Sequence, residues 1–311
     1  MENKGYPVPV LIIGFNRSDT FQKVFDQVKK VKPQKLYLAV DGPRNDVPTD
    51  KENCMKVCDI AKQVDWECDI HTLFRKKNVG CGRGPSEAIT WAFETCGDRL
   101  IILEDDCVPV DSFFPFCEEL LERYRDDERV WLISANCYYK VENGFKDSDY
   151  MFSNFAHTHG WATWKRCWNH FDIEMSDFPA FIAKGGAYNA MPFEEAAELW
   201  NWKYQKVYDN IEIERTHSWD SQWGYARLKN RGLGIVPSVH LIQYVGEYGT
   251  HFHGDAKLNI INSGEMPQKI RHPQFILPEI EYEREYFSKY IRKRYPTKWM
   301  KIKKTIKSLF K

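Results

Sequence analysis

The stretch Leu-Ile-Ile-Leu-Glu-Asp-Asp at residues 100–106 joins four consecutive apolar residues directly to three consecutive acids. The apolar run predicts a buried strand. Three acids cannot lie in an apolar core, so they predict negative charge concentrated where that strand ends. A divalent cation such as Mn²⁺ or Mg²⁺ would offset their repulsion, because carboxylate oxygens are its preferred ligands. The alternative is an acidic turn before the next helix, and the stretch alone favours neither.

On both sides of this stretch, strand-like and helix-like segments alternate through the first half of the chain. Strands are predicted at residues 8–13, 35–40, 68–74, 100–103 and 130–134. The alternation predicts βαβ units, and therefore an α/β fold with a mostly parallel central sheet flanked by helices. Ligands of such sheets bind beyond the carboxyl ends of the strands. We therefore expect Asp41, residues 78–84 and residues 104–106 to converge on one crevice.

The composition argues against several classes of protein. Lysine plus arginine and aspartate plus glutamate each number 44 among the 311 residues, so the chain as a whole does not attract nucleic acid. Nine cysteines occur without a C-x-x-C pair, which argues against a disulfide framework and a structural zinc cluster. The N-terminus lacks a signal-peptide pattern, and no apolar run reaches about 18 residues. These features predict a cytoplasmic protein.

A series of landmarks resembles the inverting glycosyltransferases that add N-acetylglucosamine to mannose in N-glycan maturation, and the wider superfamily of nucleotide-diphospho-sugar transferases. The landmarks are the acidic triplet, the strand and arginine at residues 10–18, the strand ending at Asp41-Gly42, the strand at residues 130–136, and the pairs Gly160-Trp161 and Trp219-Asp220. The resemblance covers residues 7–245. It implies a GT-A (Rossmann-like) fold, to which we add a helical C-terminal extension.

The resemblance also implies roles for individual acids. Asp106, the last acid of the triplet, would bind Mn²⁺ or Mg²⁺, and His251 is a second candidate metal ligand. Glu104 and Asp105 would contact the nucleotide sugar or position the waters of the metal. Asp41 would accept a hydrogen bond from a uracil ring.

Three further residues have implied roles. Phe15 and Arg17, which follow the first strand, would contact the donor, with the Arg17 guanidinium facing the diphosphate because its planar fork suits phosphate oxygens. Asp220 would be the general base that takes the proton from the acceptor hydroxyl, and direct attack on the anomeric carbon would invert its stereochemistry. The alternatives are a surface arginine at a helix start for Arg17 and a helix N-cap for Asp220.

The glycines at positions 80, 82 and 84 form a G-x-G-x-G series that is neither G-x-G-x-x-G nor a P-loop. We therefore interpret them as a flexible turn close to the donor rather than a phosphate cradle. Asn78 and Arg83 are further candidate donor contacts.

The segment 150–172, rich in aromatic residues and histidine, is the candidate acceptor side. Gly160, Trp161 and Trp164 are the candidate acceptor-binding residues, because an indole ring can stack on the apolar C–H face of a sugar. Core packing is the alternative for each tryptophan. His157 and His159 share a strand face, where hydrogen bonding within the loop is preferred over a metal site.

We divide the chain into a GT-A domain at residues 1–245 and a C-terminal extension at residues 246–311. Residues 1–136 would bind the nucleotide sugar and residues 137–245 the acceptor. From Thr297 to Lys311 there are six lysines and no acids, with Trp299, Ile302 and Ile306 on one helical face. This pattern predicts a helix on an anionic membrane surface at the inner face of the cell membrane; docking on its own domain is the alternative.

The function predicted is metal-dependent transfer of a sugar, with N-acetylglucosamine or another hexose the best guess, from a UDP-sugar to a glycan or lipid-linked glycan. One alternative is a sugar-phosphate nucleotidyltransferase on the same fold, although the turn at residues 14–17 lacks the glycine-rich loop of those enzymes. A second is a non-catalytic sugar-binding or scaffold module. A third, metal-dependent phosphoester hydrolysis, would require more histidine and aspartate ligands than this chain supplies.

Overall fold

A computed structural model describes residues 5–139, 145–245 and 262–294. The strands are β1 (Val10–Gly14), β2 (Lys35–Val40), β3 (Asp69–Phe74), β4 (Arg99–Glu104), β5 (Cys107–Pro109), β6 (Val130–Ser134), β7 (Tyr150–Ser153), β8 (Trp161–Trp164), β9 (Leu233–Pro237) and β10 (Ile242–Tyr244). The helices are α1 (Ser18–Val31), α2 (Asp50–Asp59), α3 (Gly80–Thr95), α4 (Phe113–Arg123), α5 (Lys165–Trp168), α6 (Phe178–Ala183), α7 (Glu194–Asp209), α8 (Ile211–His217), α9 (Asp220–Lys229), α10 (Ile280–Tyr286) and α11 (Arg292–Arg294), with a π-helical turn at Phe287–Ile291.

Eight strands form one mixed sheet in the order β3-β2-β1-β4-β8-β6-β9-β7. Neighbours from β3 to β4 are parallel, and so are β6 and β9, whereas β8 and β7 run antiparallel to the strands beside them. Strands β5 and β10 form a separate antiparallel pair. The predicted α/β class, with a large and mostly parallel central sheet flanked by helices, is confirmed. This architecture is consistent with the GT-A-type fold expected from the resemblance.

The first half of the sheet forms because its strands are apolar on both faces. Every residue of β1 is buried, and so is every residue of β2 after Lys35. Such continuous apolar runs suit strands that helices cover on both sides. Helix α1 contributes one covering stripe, in which Phe21, Val24 and Val28 are fully buried at helical spacing.

The described part of the C-terminal extension packs directly on the second half of the sheet. Glu279 N donates a hydrogen bond to Phe152 O of β7 at 3.1 Å. Glu283, in α10, is buried and accepts hydrogen bonds from Ser153 Oγ at 3.0 Å and from Asn154. The helical extension is thus present as far as residue 294. The basic segment at residues 297–311 lies outside the described residues, and among those that are described, no helix has the length and apolar character needed to cross a bilayer.

Candidate active site

A cavity of about 520 Å³ opens at the carboxyl ends of β1, β2 and β4, and we call it the sheet-edge cavity. Its lining comes from the ends of β1 and β2 with the residues that follow them, from the segment after β3 with the start of α3, and from the ends of β4 and α8: residues 13–17, 39–41, Arg44, Arg75, 78–81, Gly84, Pro85, Glu104, Asp105, Thr216 and His217. The expected convergence of Asp41, the glycine-rich segment and the acidic triplet is therefore observed. Phe15, Arg17 and Asn78 also line this cavity, whereas Arg83 and Asp106 do not.

Arg17 forms ion pairs with two of the three acids of the triplet. Its guanidinium forms an ion pair with Asp105 and donates from Nη2 to Asp106 Oδ2 at 3.0 Å. The Asp105 side chain is only 7% exposed and the Arg17 side chain 27%. Burial, together with neighbouring carboxylates, raises the pKa of both Glu104 and Asp105, and the charge of Arg17 opposes that rise. These acids therefore need a positive charge beside them, and Arg17 supplies one.

Asp41 organises the loop that leads into α3. Its two carboxylate oxygens accept hydrogen bonds from the backbone N–H groups of Gly42, Val79 and Gly80 and from the side chain of Asn78, at 2.8–3.2 Å. Burial raises the pKa of Asp41, and the hydrogen bonds from those backbone groups act against the rise. We assign Asp41 and Asn78 a role in positioning this wall of the sheet-edge cavity. Contact between Asp41 and a nucleobase stays a prediction.

The glycine series forms the first turn of α3, so the interpretation as a flexible turn is wrong. Gly80 adopts a positive φ of 88°, and a Cβ on Gly82 would lie 2.3 Å from the carbonyl oxygen of Arg215. The backbone of α8 therefore packs against the backbone of α3, which only glycine permits. This packing brings Thr216 and His217 to the sheet-edge cavity.

We expect Gly82→Ala to lower the free energy of unfolding by about 1–3 kcal/mol, because the new Cβ overlaps backbone atoms that must then shift. Displacement of α8 should also weaken nucleotide binding in the sheet-edge cavity. Urea unfolding measures the first effect and ligand titration the second. Gly84→Ala is the matched control, since its Cβ would meet only ordinary contacts at 3.5 Å or more. Equal stability of the two variants would contradict this account of the glycines.

The sequence analysis missed two arginines of the sheet-edge cavity. Arg44 lies over the Phe15 ring at 5.3 Å and donates from Nε to Asp50 at 2.6 Å. Arg75 pairs with Glu87 at 2.9 Å. Arg75 directly follows β3, so the rule that ligands bind at the carboxyl ends of strands could have identified it. With Arg17, these residues give the cavity three guanidinium groups.

A second cavity, of about 240 Å³, has Asp220 in its lining and is called the Asp220 cavity. Its lining comes from the loop before β8, from helices α7 and α9, and from the C-terminal segment: residues 154–159, Met191, Trp200, Lys203, Tyr204, Asp220, Trp223, Gly224, Arg227, Leu228, Gly232, Tyr286, Tyr290 and Ile291. Residues after 245 thus contribute to a cavity whose other lining residues fall in the half, 137–245, that the sequence analysis assigned to the acceptor.

Asp220 begins α9, and its side chain is accessible to solvent in this cavity. Burial among surrounding protein raises the pKa of Asp220, but the charge of Lys203, the hydrogen bond from Ser218 Oγ and the neighbouring His159 outweigh that effect. The pKa of Asp220 is consequently below its usual value, so the carboxylate is ionised at neutral pH. Burial is the main cause of the raised pKa of Glu104, to which the Asp220 charge also contributes. Asp220 therefore lies close enough to the sheet-edge cavity for its charge to act on Glu104.

The predicted acceptor contacts of Gly160, Trp161 and Trp164 are not supported, because both tryptophans lie in the core. Trp161 is 0% exposed and stacks on Trp219 with ring centroids 5.7 Å apart. Trp164 is also buried, and its Nε1 donates to Leu121 O at 3.0 Å. Gly160 has a positive φ of 67° and packs tightly, so its role is conformational. Core packing, the alternative considered for the tryptophans, is correct.

His157 and His159 form hydrogen bonds, as expected, but their partners lie outside the loop to which the sequence analysis assigned them. His157 Nε2 lies 2.6 Å from the hydroxyl of Tyr286, and His159 Nδ1 lies 2.7 Å from that of Tyr138. Both histidines line the Asp220 cavity. Tyrosine contacts thus fix the orientation of two imidazoles beside Asp220.

Asp106 could give a divalent cation one carboxylate ligand, and the described residues around it do not complete a set of protein ligands. Across residues 5–139, 145–245 and 262–294, no group of three His, Cys, Asp or Glu side chains is arranged to hold a metal ion, and His251 lies outside these ranges. The Asp106 side chain is partly exposed and shares its Oδ2 with Arg17. Mg²⁺ commonly binds through one or two carboxylates, with substrate phosphates and waters completing its shell. The described residues fit that kind of shared site.

Neither sequence comparison identifies a relative of this chain, which matches no protein-family model and no curated protein. The crystal structure of S. aureus TarS 1-349 aligns with a TM-score of 0.38 and 10% identity, over 53% of this chain and 49% of that one. This chain therefore spans about half of that structure, and a likeness of this size carries no conclusion. The fold and the site define a mixed α/β protein with an arginine-lined cavity at the carboxyl edge of its sheet.

Proposed function

We propose that this protein is an inverting glycosyltransferase that moves a hexose, such as N-acetylglucosamine, from a UDP-sugar to a hydroxyl group of a glycan or lipid-linked glycan. The observation that carries the proposal is the position of Asp220. Its carboxylate lines one cavity, its charge contributes to the raised pKa of Glu104 in the other, and its own lowered pKa keeps it ionised. A general base between a donor and an acceptor must have this location and this charge.

The sheet-edge cavity supports donor binding. Its volume of about 520 Å³ is in the usual range for small-molecule sites. Arg17, Arg44 and Arg75 would attract a diphosphate, because guanidinium groups donate paired hydrogen bonds to phosphate oxygens. The Phe15 ring beneath Arg44 offers a flat apolar surface for a nucleobase.

In the proposed reaction the acceptor enters the Asp220 cavity and donates its hydroxyl proton to the Asp220 carboxylate. The acceptor oxygen attacks the anomeric carbon from the side opposite the diphosphate. The bond from that carbon to the phosphate oxygen breaks, and its electron pair leaves with UDP. Attack from the opposite side inverts the stereochemistry at the anomeric carbon. Arg17 would stabilise the negative charge on the departing diphosphate.

A divalent cation, Mn²⁺ or Mg²⁺, would be held by Asp106 and by oxygens of the diphosphate. When bound, it would act as a Lewis acid that offsets charge on the leaving group. The lysine-rich segment at residues 297–311 would hold the enzyme on an anionic membrane surface, where a lipid-linked acceptor is presented.

The proposal predicts that UDP with Mn²⁺ stabilises the protein and that Asp106→Ala abolishes the metal-dependent part of this effect. At a UDP concentration one hundred times Kd, binding adds about 2.7 kcal/mol to the free energy of unfolding. Thermal unfolding with a panel of nucleotides, with and without Mn²⁺, measures the change. The control is Asp111→Ala, which removes an exposed aspartate from the same region. Stabilisation by no nucleotide at all would support a scaffold module instead.

A further inference from the structure

The Asp220 cavity carries more positive than negative charge. Lys203 from α7 and Arg227 from α9 line it, and among the described residues Asp220 is the only carboxylate in the lining. His157 and His159 also face it. Glu283 is not part of the lining, but its buried carboxylate acts on Arg227 and offsets some of that charge. A cavity for a neutral sugar would not require this excess of cations beside the base.

Lys203 forms no ion pair with a carboxylate in the part of the chain that the structure describes. It lies 5.9 Å from the centre of the Trp200 ring, and its charge acts on Asp220 through space. Lys229, in α9, by contrast, pairs with Asp177 at 2.7 Å. The ammonium of Lys203 is thus placed at the cavity wall with donors for a ligand. The three N–H groups of this ammonium can donate hydrogen bonds to an anionic ligand.

Arg227 is the second cation, and it is only 5% exposed. Its Nη1 donates to Ala156 O at 3.0 Å and its Nη2 to Asn154 O at 3.4 Å, while Nε has no hydrogen-bond partner. Burial lowers the pKa of Arg227 to about 10, which leaves it charged at neutral pH. The Glu283 carboxylate acts on this guanidinium from outside the lining, so Lys203 is the cation on which recognition of an anion would depend.

We propose that the Asp220 cavity takes an acceptor sugar that carries an anionic group, a phosphate or a carboxylate, which Lys203 binds while Asp220 receives the proton of a nearby hydroxyl. This inference rests on the proposed function, because it assigns the acceptor class of the same site. At about 240 Å³ the cavity is smaller than most small-molecule pockets, so it suits one sugar unit rather than an oligosaccharide. If Lys203 served only to keep Asp220 ionised, neutral and anionic sugars would bind alike.

The test measures sugar binding by calorimetry with saturating UDP and Mn²⁺, so that the sheet-edge cavity is already filled. The probes are the 6-phosphates of glucose, galactose and mannose, the three neutral hexoses, and glucuronate. We expect at least one phosphate or glucuronate to bind about tenfold or more tightly than its neutral counterpart. A stronger response to glucuronate than to the phosphates would identify the carboxylate as the recognised group. Equal affinity of neutral and anionic sugars, or no binding by any anionic sugar, overturns the proposal.

Variants separate recognition by Lys203 from a general charge effect. Lys203→Glu and Lys203→Met should each remove the preference for the anionic sugar. Lys206→Glu, the matched control, makes the same change at an exposed position of the same helix and should retain it. Retention of the preference in both Lys203 variants would refute the assignment. Binding of UDP is measured in parallel: if wild type does not bind UDP, the proposed function fails, whereas normal UDP binding without anion preference removes only this inference.

Discussion

The Asp220→Asn variant is expected to transfer sugar about 10²–10⁴-fold more slowly than wild type, with little change in UDP affinity. Asparagine keeps the size of the side chain and removes its ability to accept the proton of the attacking hydroxyl. The rate of UDP-sugar hydrolysis, or of transfer once an acceptor is known, measures the loss. Thermal unfolding with UDP checks that the sheet-edge cavity is intact.

The pH dependence gives a second measure of the same role. Because the pKa of Asp220 lies below its usual value, the loss of this base should lower the wild-type rate only in acid below the usual aspartate range. Below that pKa, the carboxylate is protonated and cannot act as a base. Asp209→Asn, at the exposed end of α7, is the control and should leave both rate and profile unchanged. Full activity of Asp220→Asn would remove this residue from the mechanism.

Replacement of Arg17 by methionine should lower the free energy of unfolding by about 3 kcal/mol. The substitution leaves the carboxylate of Asp105, which is 7% exposed, without its ion-pair partner, and an uncompensated buried charge is strongly destabilising. Chemical denaturation measures the loss. UDP binding should weaken as well, because the variant removes one of three guanidinium groups from the sheet-edge cavity.

A second arginine–aspartate pair provides the comparison for this variant. Arg129 pairs with Asp127 at 2.7 Å, but its side chain is 61% exposed. Arg129→Met should therefore cost no more than about 1 kcal/mol and leave nucleotide binding unchanged. The loss of stability in Arg17→Lys should fall between those of the two methionine variants, since lysine keeps the charge and loses the planar fork of the guanidinium. If Arg17→Met proved as mild as Arg129→Met, the acids would not depend on Arg17.

Local patterns predicted the first half of the fold well. The predicted strands at residues 35–40 and 130–134 coincide with β2 and β6, because both are uninterrupted buried runs. The second half was not predicted in the same detail. Strand β8 is only four residues long, and it lies between β4 and β6 although the chain reaches it after β7. Pairings of this kind depend on packing between distant segments, which periodicity does not reveal.

The sequence likewise predicted some residues of the candidate site and missed others. The convergence of Asp41 and Glu104 followed from the rule for parallel sheets, and the structure agrees. The tryptophans were misassigned because composition does not distinguish an aromatic core from an aromatic surface. Lys203 and Tyr286 could not have been placed near Asp220 from the sequence, since α7, α9 and the C-terminal segment form that wall only after folding.

The two cavities draw on different stretches of the gene. Most of the sheet-edge cavity is encoded before residue 106, whereas Tyr286, Tyr290 and Ile291 complete the Asp220 cavity from the far end of the chain. Under the proposed function, substitutions in the C-terminal segment would change the acceptor without touching the donor site. The two specificities would then be free to evolve independently.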